Sequence, residues 1–408
     1  MEHLELYSRP HLNGQDSISA CDMLQRIQAD RGVAQGITSL RYEDCRHKKL
    51  SPDHALKLHA ITENPELFQP AGQLDHVRPL VDKLLQEGSN EDGDLLALTI
   101  LLLLLPNLES LKLSTYSYGY NLDIIDKMVL AISQSHRTAT PNPSLQKLSH
   151  VTLEALEMGT VPIQHLLSFS AIPPVRKLSG NCITADAFNW RLGDIDSSVE
   201  ELDFRSSFID AESLQAILSH LPGLRVFKYE HGPAVLNETS RFEPSEFFDV
   251  MASCLADSIR DVKFTFYHPE FIDFPRLGSA FLGFKELRKL ETQIEFLRNA
   301  VPDGVDDDSD KDEALESGFH SGDSDEEDED RLLPLVAVLP PSLELLRLKV
   351  GPPYMGEEVE ALFEDFQALK ETRLPRLRQI SMTYIDIDVA TEVREMCAEV
   401  GVKVFFRR

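Results

Sequence analysis

A dense apolar run is the strongest feature in the hydrophobic pattern of the chain. It extends from Leu95 to Leu105, 11 residues with Thr99 as the single polar one, and Pro106 follows directly. A helix needs about 20 apolar residues to cross a bilayer, so this run is too short to span a membrane. Proline cannot continue a helix, and apolar residues alternate after it. The pattern therefore predicts a short buried helix, a turn and then a strand.

The strand part of this unit recurs along the chain. Its signature is an apolar anchor followed by apolar residues three and five positions later, as in Val199, Leu202 and Phe204. The ten anchors are Ile37, Leu108, Leu145, Val175, Val199, Leu224, Ile259, Leu287, Leu343 and Leu377. Helical spacing follows the strands, for example after Asp210, which is a candidate N-cap. The chain therefore alternates between strand and helix at irregular intervals.

These intervals predict an α/β fold of the solenoid class. A strand and a helix that repeat about every 30 residues cannot bury their apolar faces separately, so successive units stack. The expected product is a horseshoe of about ten irregular strand-helix repeats. Residues 1–36 are expected to form an N-terminal helical cap, and residues 37–301 and 332–408 the repeats. The last repeats would end in a C-terminal cap, a helix over 389–400 closed by Gly401 and followed by a strand.

The acidic residues are concentrated in one segment. The formal net charge is -28, and Asp303 to Asp330 holds 15 acidic residues and one lysine. Such a block repels itself and buries nothing, so residues 302–331 are expected to be a disordered loop inserted between repeats. Ser324 precedes a run of acidic residues and is a candidate phosphosite. The alternative is a solvated spacer that has no partner.

The strand positions that point away from the core have a different charge balance. Positions two, four and six after each anchor carry ten basic and six acidic residues. They are expected to form the concave face that solenoids use for binding. The basic candidates for a binding role are Arg41, Lys112, Lys228, Lys263, Lys289, Arg347 and Lys349. A locally positive face would bind an acidic segment, either of another protein or the chain's own acidic loop. The alternative is that strands simply carry few acids while helices carry many.

No pattern of residues indicates an enzyme, a cofactor or a metal site. The chain contains no GxSxG, HExxH, GxxxxGK or GxGxxG motif, and its 13 histidines are dispersed. The nearest approaches to a site are Cys45 with His47, and His54 with His59, and neither has a second ligand pair. Five cysteines, placed singly, favour a reducing cytoplasmic or nuclear location. The negative net charge disfavours nucleic acid as a partner.

One repeat resembles a known family. Residues 202–218, LDFRSSFIDAESLQAIL, are similar to the leucine-rich repeat consensus, with Ser207 at its Asn/Cys position, which Cys45 occupies in LRYEDC. The LPxLxxLxL strands, uneven repeats and polar insertions over residues 37–408 resemble leucine-rich repeat proteins of filamentous fungi. Those proteins are commonly F-box substrate adaptors of ubiquitin ligases, but no F-box pattern fits the 36 residues before the first repeat.

The resemblance implies a noncatalytic protein-protein interaction module. The first function that it suggests is substrate recognition in an F-box-like ubiquitin-ligase context. The alternative is a nuclear scaffold, similar to a histone chaperone, in which the acidic loop binds basic tails. Copurification would separate the two, because ubiquitin-ligase subunits favour the first and histones the second.

Overall fold

The computed structural model describes most of the chain as two compact units, Met1–Arg241 and Phe242–Arg408. The described residues are 9–13, 18–43, 93–115, 122–136, 144–156, 159–190, 193, 195, 197–232, 242–266, 277–297, 332–350, 357–383 and 387–407. The predicted acidic loop 302–331 with Ser324 lies outside them. So do Cys45, His47, His54 and His59.

The first unit is built on parallel strands. They are β1 (His11–Asn13), β2 (Ser39–Glu43), β3 (Ser110–Thr115), β4 (His150–Ala155), β5 (Val161–Pro162), β6 (Lys177–Asn181), β7 (Ile183–Ala185), β8 (Glu201–Ile209) and β9 (Val226–His231). The main ladder has the order β1-β2-β3-β4-β6-β8-β9, and every pair in it is parallel. The short strand β7 pairs with β5 and with the end of β8.

Most connections between these parallel strands contain a helix, which is the usual crossover in parallel pairing, and the described part of the β6–β8 connection contains β7 instead. The helices are α1 (Ala20–Ala29), α2 (Gly32–Gly36), α3 (Gly93–Leu103), α4 (Asp123–His136), α5 (Gln164–Leu167) and α6 (Ala211–Leu218), with a 3-10 helix at Ser168–Ala171. Ser19 and Asp22 form a capping box at the start of α1. Asp210 caps α6 as expected, since its side chain accepts a hydrogen bond from the backbone N–H of Ser213 at 2.6 Å.

The second unit repeats this plan. Its strands are β10 (Asp261–Phe266), β11 (Lys289–Gln293), β12 (Leu345–Lys349), β13 (Gln379–Thr383) and β14 (Lys403–Arg407). They pair in parallel in that order. Its helices are α7 (Pro244–Leu255), α8 (Leu335–Val338), α9 (Glu357–Ala361), α10 (Phe366–Arg373) and α11 (Ile387–Glu399), with 3-10 helices at Gly278–Gly283 and Ile294–Leu297. The expected α/β class is confirmed.

The core of each unit lies between one side of the strands and the helices. On β3, Leu111 and Leu113 are buried, and Lys112 between them is half-buried. In the second unit, the ring of Phe248 on α7 packs edge-on against Phe264 on β10, with centroids 4.7 Å apart. Alternate strand residues therefore enter the core, as the period of two predicted.

The apolar run of Leu95 to Leu105 forms the buried helix that the sequence predicted. Helix α3 covers Gly93–Leu103, and Leu98, Leu101 and Leu102 are completely buried. Thr99 is also buried, and its hydroxyl donates a hydrogen bond to the backbone oxygen of Leu95 at 2.7 Å, which removes the cost of an unpaired polar group. Among the described residues, no helix is both long enough and apolar enough to cross a bilayer.

The C-terminal end of the described chain has the elements that were predicted, whereas the N-terminal end has one strand that was not. The helix, glycine and strand predicted at the C-terminus are found, because α11 is followed by Gly401 in the left-handed region (φ 73°) and then by β14. The first 36 residues contain the expected helices. They also contribute β1, which pairs with β2 and was not predicted.

One predicted anchor is wrong by three residues. Leu111 of β3 pairs with Val151, and Leu113 pairs with Leu153, so the residue equivalent to Leu108 is Leu148 and not Leu145. The segment contains two overlapping apolar patterns. The one that begins at Leu148 buries three side chains on the core side, whereas Leu145 adopts a left-handed turn conformation (φ 58°).

Candidate functional site

The side chains opposite the core form a surface that we call the strand face. In the first unit its central column follows the strand register: Arg41, Lys112, Thr152, Ser179, Asp203 and Lys228. In the second unit the central column is Lys263, Glu291, Arg347, Ser381 and Phe405. Lys289 lies beside the second column opposite Asp261, and Lys349 lies opposite Gln293 and Thr383. The structure therefore places all seven predicted basic residues on the strand face, three in the first unit and four in the second.

Lys112 forms an ion pair that the sequence analysis missed. Its ammonium lies 2.8 Å from Glu154 on the neighbouring strand, and Ser114 donates a hydrogen bond of 2.6 Å to the same carboxylate. Burial raises the pKa of Glu154, but the hydrogen bonds and the charge of Lys112 outweigh it, so the pKa is lowered overall. Glu154 was missed because the misplaced anchor put Val151 in its column.

The corrected register changes the charge balance of the strand face. Lys147 leaves the set of face positions and Glu154 enters it, so ten basic against six acidic residues becomes nine against seven. The excess of positive charge is smaller than the sequence indicated. What distinguishes this surface is how the opposite charges are arranged across the strands.

Glu201 on β8 binds two lysines with one oxygen atom. The ammonium of Lys177 on β6 lies 2.8 Å from Oε1, and that of Lys228 on β9 lies 2.7 Å from the same atom. Burial alone would raise the pKa of this carboxyl group, but the two lysines lower it by hydrogen bonding and by their charge. Glu201 is therefore held ionised between two cations.

The second unit contains a similar arrangement. Glu291 on β11 lies 3.0 Å from Lys263 on β10 and 3.3 Å from Arg347 on β12. Its pKa is lowered because the hydrogen bonds and charges of these two cations outweigh its burial. Lys289 contacts Asp261 at 2.6 Å. Each of these contacts joins adjacent strands, so the pairs also fix the register of the ladder.

In these pairs the cation is the more exposed partner. The side chain of Lys112 is 35% exposed against 16% for Glu154, and Arg347 is 34% exposed against 18% for Glu291. Lys177 and Lys228 are also more exposed than Glu201. Long basic side chains extend over their shorter partners. The charge that is more accessible to solvent in each of these pairs is therefore the positive one.

Comparison with known proteins does not identify a family for this chain. No protein-family model matches the chain. No curated protein is similar to it. The functional interpretation therefore depends on the geometry of the strand face and on the other polar clusters of the two units.

One group of side chains among the described residues has the composition of a metal site. Asp123 and Asp126 on α4 and His165 on α5 place one ligand atom each within 4.8 Å of the others. Sequence spacing could not reveal the group, because His165 is 39 positions from Asp126. Nδ1 of His165 lies 2.6 Å from Oδ2 of Asp126, so the histidine and the aspartate join their two helices as a hydrogen-bonded pair. This contact accounts for His165 and for Oδ2 of Asp126, whereas Oδ1 of Asp126 is buried with no hydrogen-bond partner among the described residues.

A network of buried polar side chains lies near the ends of β8 and β9. Ser207, the residue at the Asn/Cys position, accepts a hydrogen bond from the backbone N–H of Ile183 at 3.1 Å. The hydroxyl of Tyr229 accepts one from Ile209 N–H at 3.1 Å, and lies 3.1 Å from Nδ1 of His231. Burial lowers the pKa of His231 to about 4. These side chains stabilise backbone groups of neighbouring strands and offer no open site.

The pKa of His231 predicts an acid-sensitive fold. The unfolded chain protonates this histidine near pH 6.5, whereas the folded chain protonates it near pH 4. The stabilisation is complete above pH 6.5 and is lost as the pH falls toward 4, by about 2 kcal/mol at pH 5. Urea titrations at pH 7 and pH 5 measure this difference. The variant His231→Gln should lose that part of the pH dependence, and the exposed-site control His150→Gln should keep it. An unchanged dependence in His231→Gln would contradict the prediction.

Proposed function

We propose that this chain is a leucine-rich-repeat solenoid that binds another protein through its strand face and carries out no chemistry. The observation that carries the proposal is the ordered series of ion pairs between adjacent strands, in which the cation is the more exposed partner. Parallel strands, helices on the other side and the Ser207 hydrogen bond to a neighbouring strand support the repeat class. Solenoids bind partners through the exposed surface of their strands.

The ion pairs between adjacent strands are better explained by recognition of a partner than by their contribution to stability alone. Exposed and half-exposed ion pairs contribute only about 0–1 kcal/mol each, because solvent screens them and long side chains lose freedom. Charged groups held in fixed register on a rigid sheet can instead select a partner and accelerate its association. The side chains in this ladder are positioned before any partner arrives, which lowers the ordering cost of binding.

Two cellular roles are consistent with this binding function. In the first, the strand face recognises a substrate in an F-box-like ubiquitin-ligase context, with the ligase contact supplied by another protein. In the second, the chain is a nuclear scaffold whose acidic segment binds basic tails. Quantitative copurification separates them through enrichment of ligase subunits or of histones. We favour the first role, because it assigns binding to the strand face, where the ordered ion pairs lie, whereas the second role depends on the acidic segment.

A bulky substitution in the first column tests the binding surface. Ser179 is half-buried at the centre of the column, so Ser179→Trp should obstruct a partner there. We expect proteins captured by the wild-type chain to be reduced at least about tenfold, the loss that a blocked interface centre causes. Gln215→Trp, at an exposed position on α6, is the matched control and should capture the same proteins as wild type. Equal capture by Ser179→Trp and wild type would refute the strand face as the binding surface.

A further inference from the structure

Three side chains of the types that bind metal ions meet where α4 and α5 lie against each other. Asp123 and Asp126 are three positions apart on α4, so they lie on the same face of that helix. His165 on α5 lies beside them, and one ligand atom from each residue lies within 4.8 Å of the other two. Zinc binds carboxylate oxygen and imidazole nitrogen at about 2.0–2.2 Å, so small side-chain rotations bring all three atoms around one ion.

The ligand from α5 is held in place by the core. Leu166 and Leu167, which follow His165 in the helix, are completely buried. The side chain of His165 is only 7% exposed, and its Nδ1 lies 2.6 Å from Oδ2 of Asp126. An imidazole ring that is already packed loses little conformational freedom when it binds an ion. Asp123 is exposed, so an ion can reach the group from solvent.

The carboxylate of Asp126 has one oxygen atom that the described part of the fold does not satisfy. His165 contacts Oδ2, whereas Oδ1 is buried and accepts no hydrogen bond from any described residue. A buried carboxylate oxygen without a donor costs free energy, because it has lost its contact with water. A cation beside Oδ1 removes that cost. This observation is independent of the proximity of the three side chains and points to a ligand.

We propose that Asp123, Asp126 and His165 bind a divalent transition-metal ion, and that Zn²⁺ fits the group best. Imidazole nitrogen and carboxylate oxygen are both ligands of Zn²⁺, and water completes a tetrahedron around three protein ligands. Ca²⁺ instead takes six to eight oxygen atoms, which two carboxylates and a histidine do not supply. The bound ion connects α4 to α5. This site lies on the helix side of the strands and does not depend on the proposed function of the strand face.

The test measures binding of Zn²⁺ to the full chain after a chelator has removed metal and has itself been dialysed away. Isothermal titration calorimetry gives the stoichiometry and the affinity. We expect one equivalent of Zn²⁺ to bind more tightly than any further equivalents, and Mn²⁺ to bind there more weakly than Zn²⁺. Ca²⁺ is the control for weak binding to the acidic residues of 303–330, and it should not occupy the tight site.

The variant Asp123→Asn removes one ligand at an exposed position, so it should leave the fold intact. Loss of a group that merely orients a metal ligand costs about 10- to 100-fold in affinity, so loss of a direct ligand should weaken the tight site at least about tenfold. Asp249→Asn, at an exposed position on α7, is the matched control and should bind Zn²⁺ as wild type does.

Two further variants test the buried part of the site. Asp126→Asn and His165→Gln should each remove the tight equivalent, whereas His150→Gln, at an exposed histidine, should keep it. Zn²⁺ should also raise the melting temperature of the wild-type chain, because an ion that binds only the folded state stabilises it. That increase should be smaller in Asp123→Asn. Circular dichroism checks the fold of each variant, and Asp123→Asn decides alone if the buried variants do not fold.

Two results would overturn the metal site. One is a wild-type chain that binds Zn²⁺ no more tightly than it binds Ca²⁺, which would mean adventitious binding to acidic residues only. The other is a tight equivalent that Asp123→Asn binds with wild-type affinity, which would place the ion on other residues of the chain. Capture of a partner by the strand face is unaffected in either case, so failure of the metal site and failure of the proposed function are distinguishable.

Discussion

Replacing Leu102 with aspartate is expected to lower the free energy of unfolding by at least about 4 kcal/mol. Leu102 is completely buried in α3, and its neighbours Leu98 and Leu101 in the helix and Leu105 just after it are buried as well. A carboxylate at this position would be ionised without a partner or would have to take up a proton, and both states cost free energy. Urea unfolding followed by circular dichroism measures the loss. The expected result is a chain that is mostly unfolded or insoluble at room temperature.

A second leucine provides the control for this substitution. Leu282 lies in a 3-10 helix of the second unit, and it is 39% exposed. Aspartate there remains in contact with water, so Leu282→Asp should cost less than about 1 kcal/mol. If Leu102→Asp were no more destabilising than Leu282→Asp, helix α3 would not be part of the buried core.

The second large effect is expected at Gly232. A Cβ atom at this position would lie 2.4 Å from the backbone carbon of Ser206 and 2.6 Å from its Cα. The obstructing atoms are backbone, so they cannot rotate away. Ser206 has a left-handed conformation (φ 46°) in the irregular part of β8, where the register with β9 shifts. We expect Gly232→Ala to lower the free energy of unfolding by about 3 kcal/mol, within the range of overpacked sites.

Gly223→Ala is the matched control. Its nearest neighbour is the backbone oxygen of Val199, at 3.6 Å from the added Cβ, which is an ordinary contact. Alanine also restricts the unfolded chain more than glycine does, so this variant should be neutral or more stable by up to about 1 kcal/mol. Thermal and urea unfolding of the two variants side by side would show the difference. Similar stabilities would mean that β8 and β9 can separate at Ser206 without cost.

Much of the fold follows from the periodicity of apolar residues. Helix α3, helix α11 and the buried positions of β3 were predictable because the spacing of Leu, Ile and Val indicates which positions are buried. The register of β4 was not, since Leu145 and Leu148 both begin an apolar pattern and only packing against β3 selects one. Strand β1 is too short, at three residues, to give a periodic signal.

The site was predictable as a surface and not as a set of contacts. Alternation placed Lys112, Lys228 and Arg347 on the strand face correctly. Their carboxylate partners depend on how neighbouring strands align, which no local pattern encodes. Glu201 was counted among the acidic residues of the face, but its contact with two lysines requires the relative positions of β6, β8 and β9. The pair of Asp126 and His165 likewise depends on how two helices pack.

Because the strands are parallel, the segments that connect them can change in length while the strands stay paired. Strands β2 and β3 pair in register although one ends at Glu43 and the other begins at Ser110, and β11 pairs with β12 across Gln293 to Leu345. Each doubling of a connection costs only about 0.6 kcal/mol in closure entropy, so insertions at these two points are inexpensive. Evolution can therefore add residues between these strands while the strands keep their pairing. A reporter domain inserted at either point should leave the neighbouring strands paired.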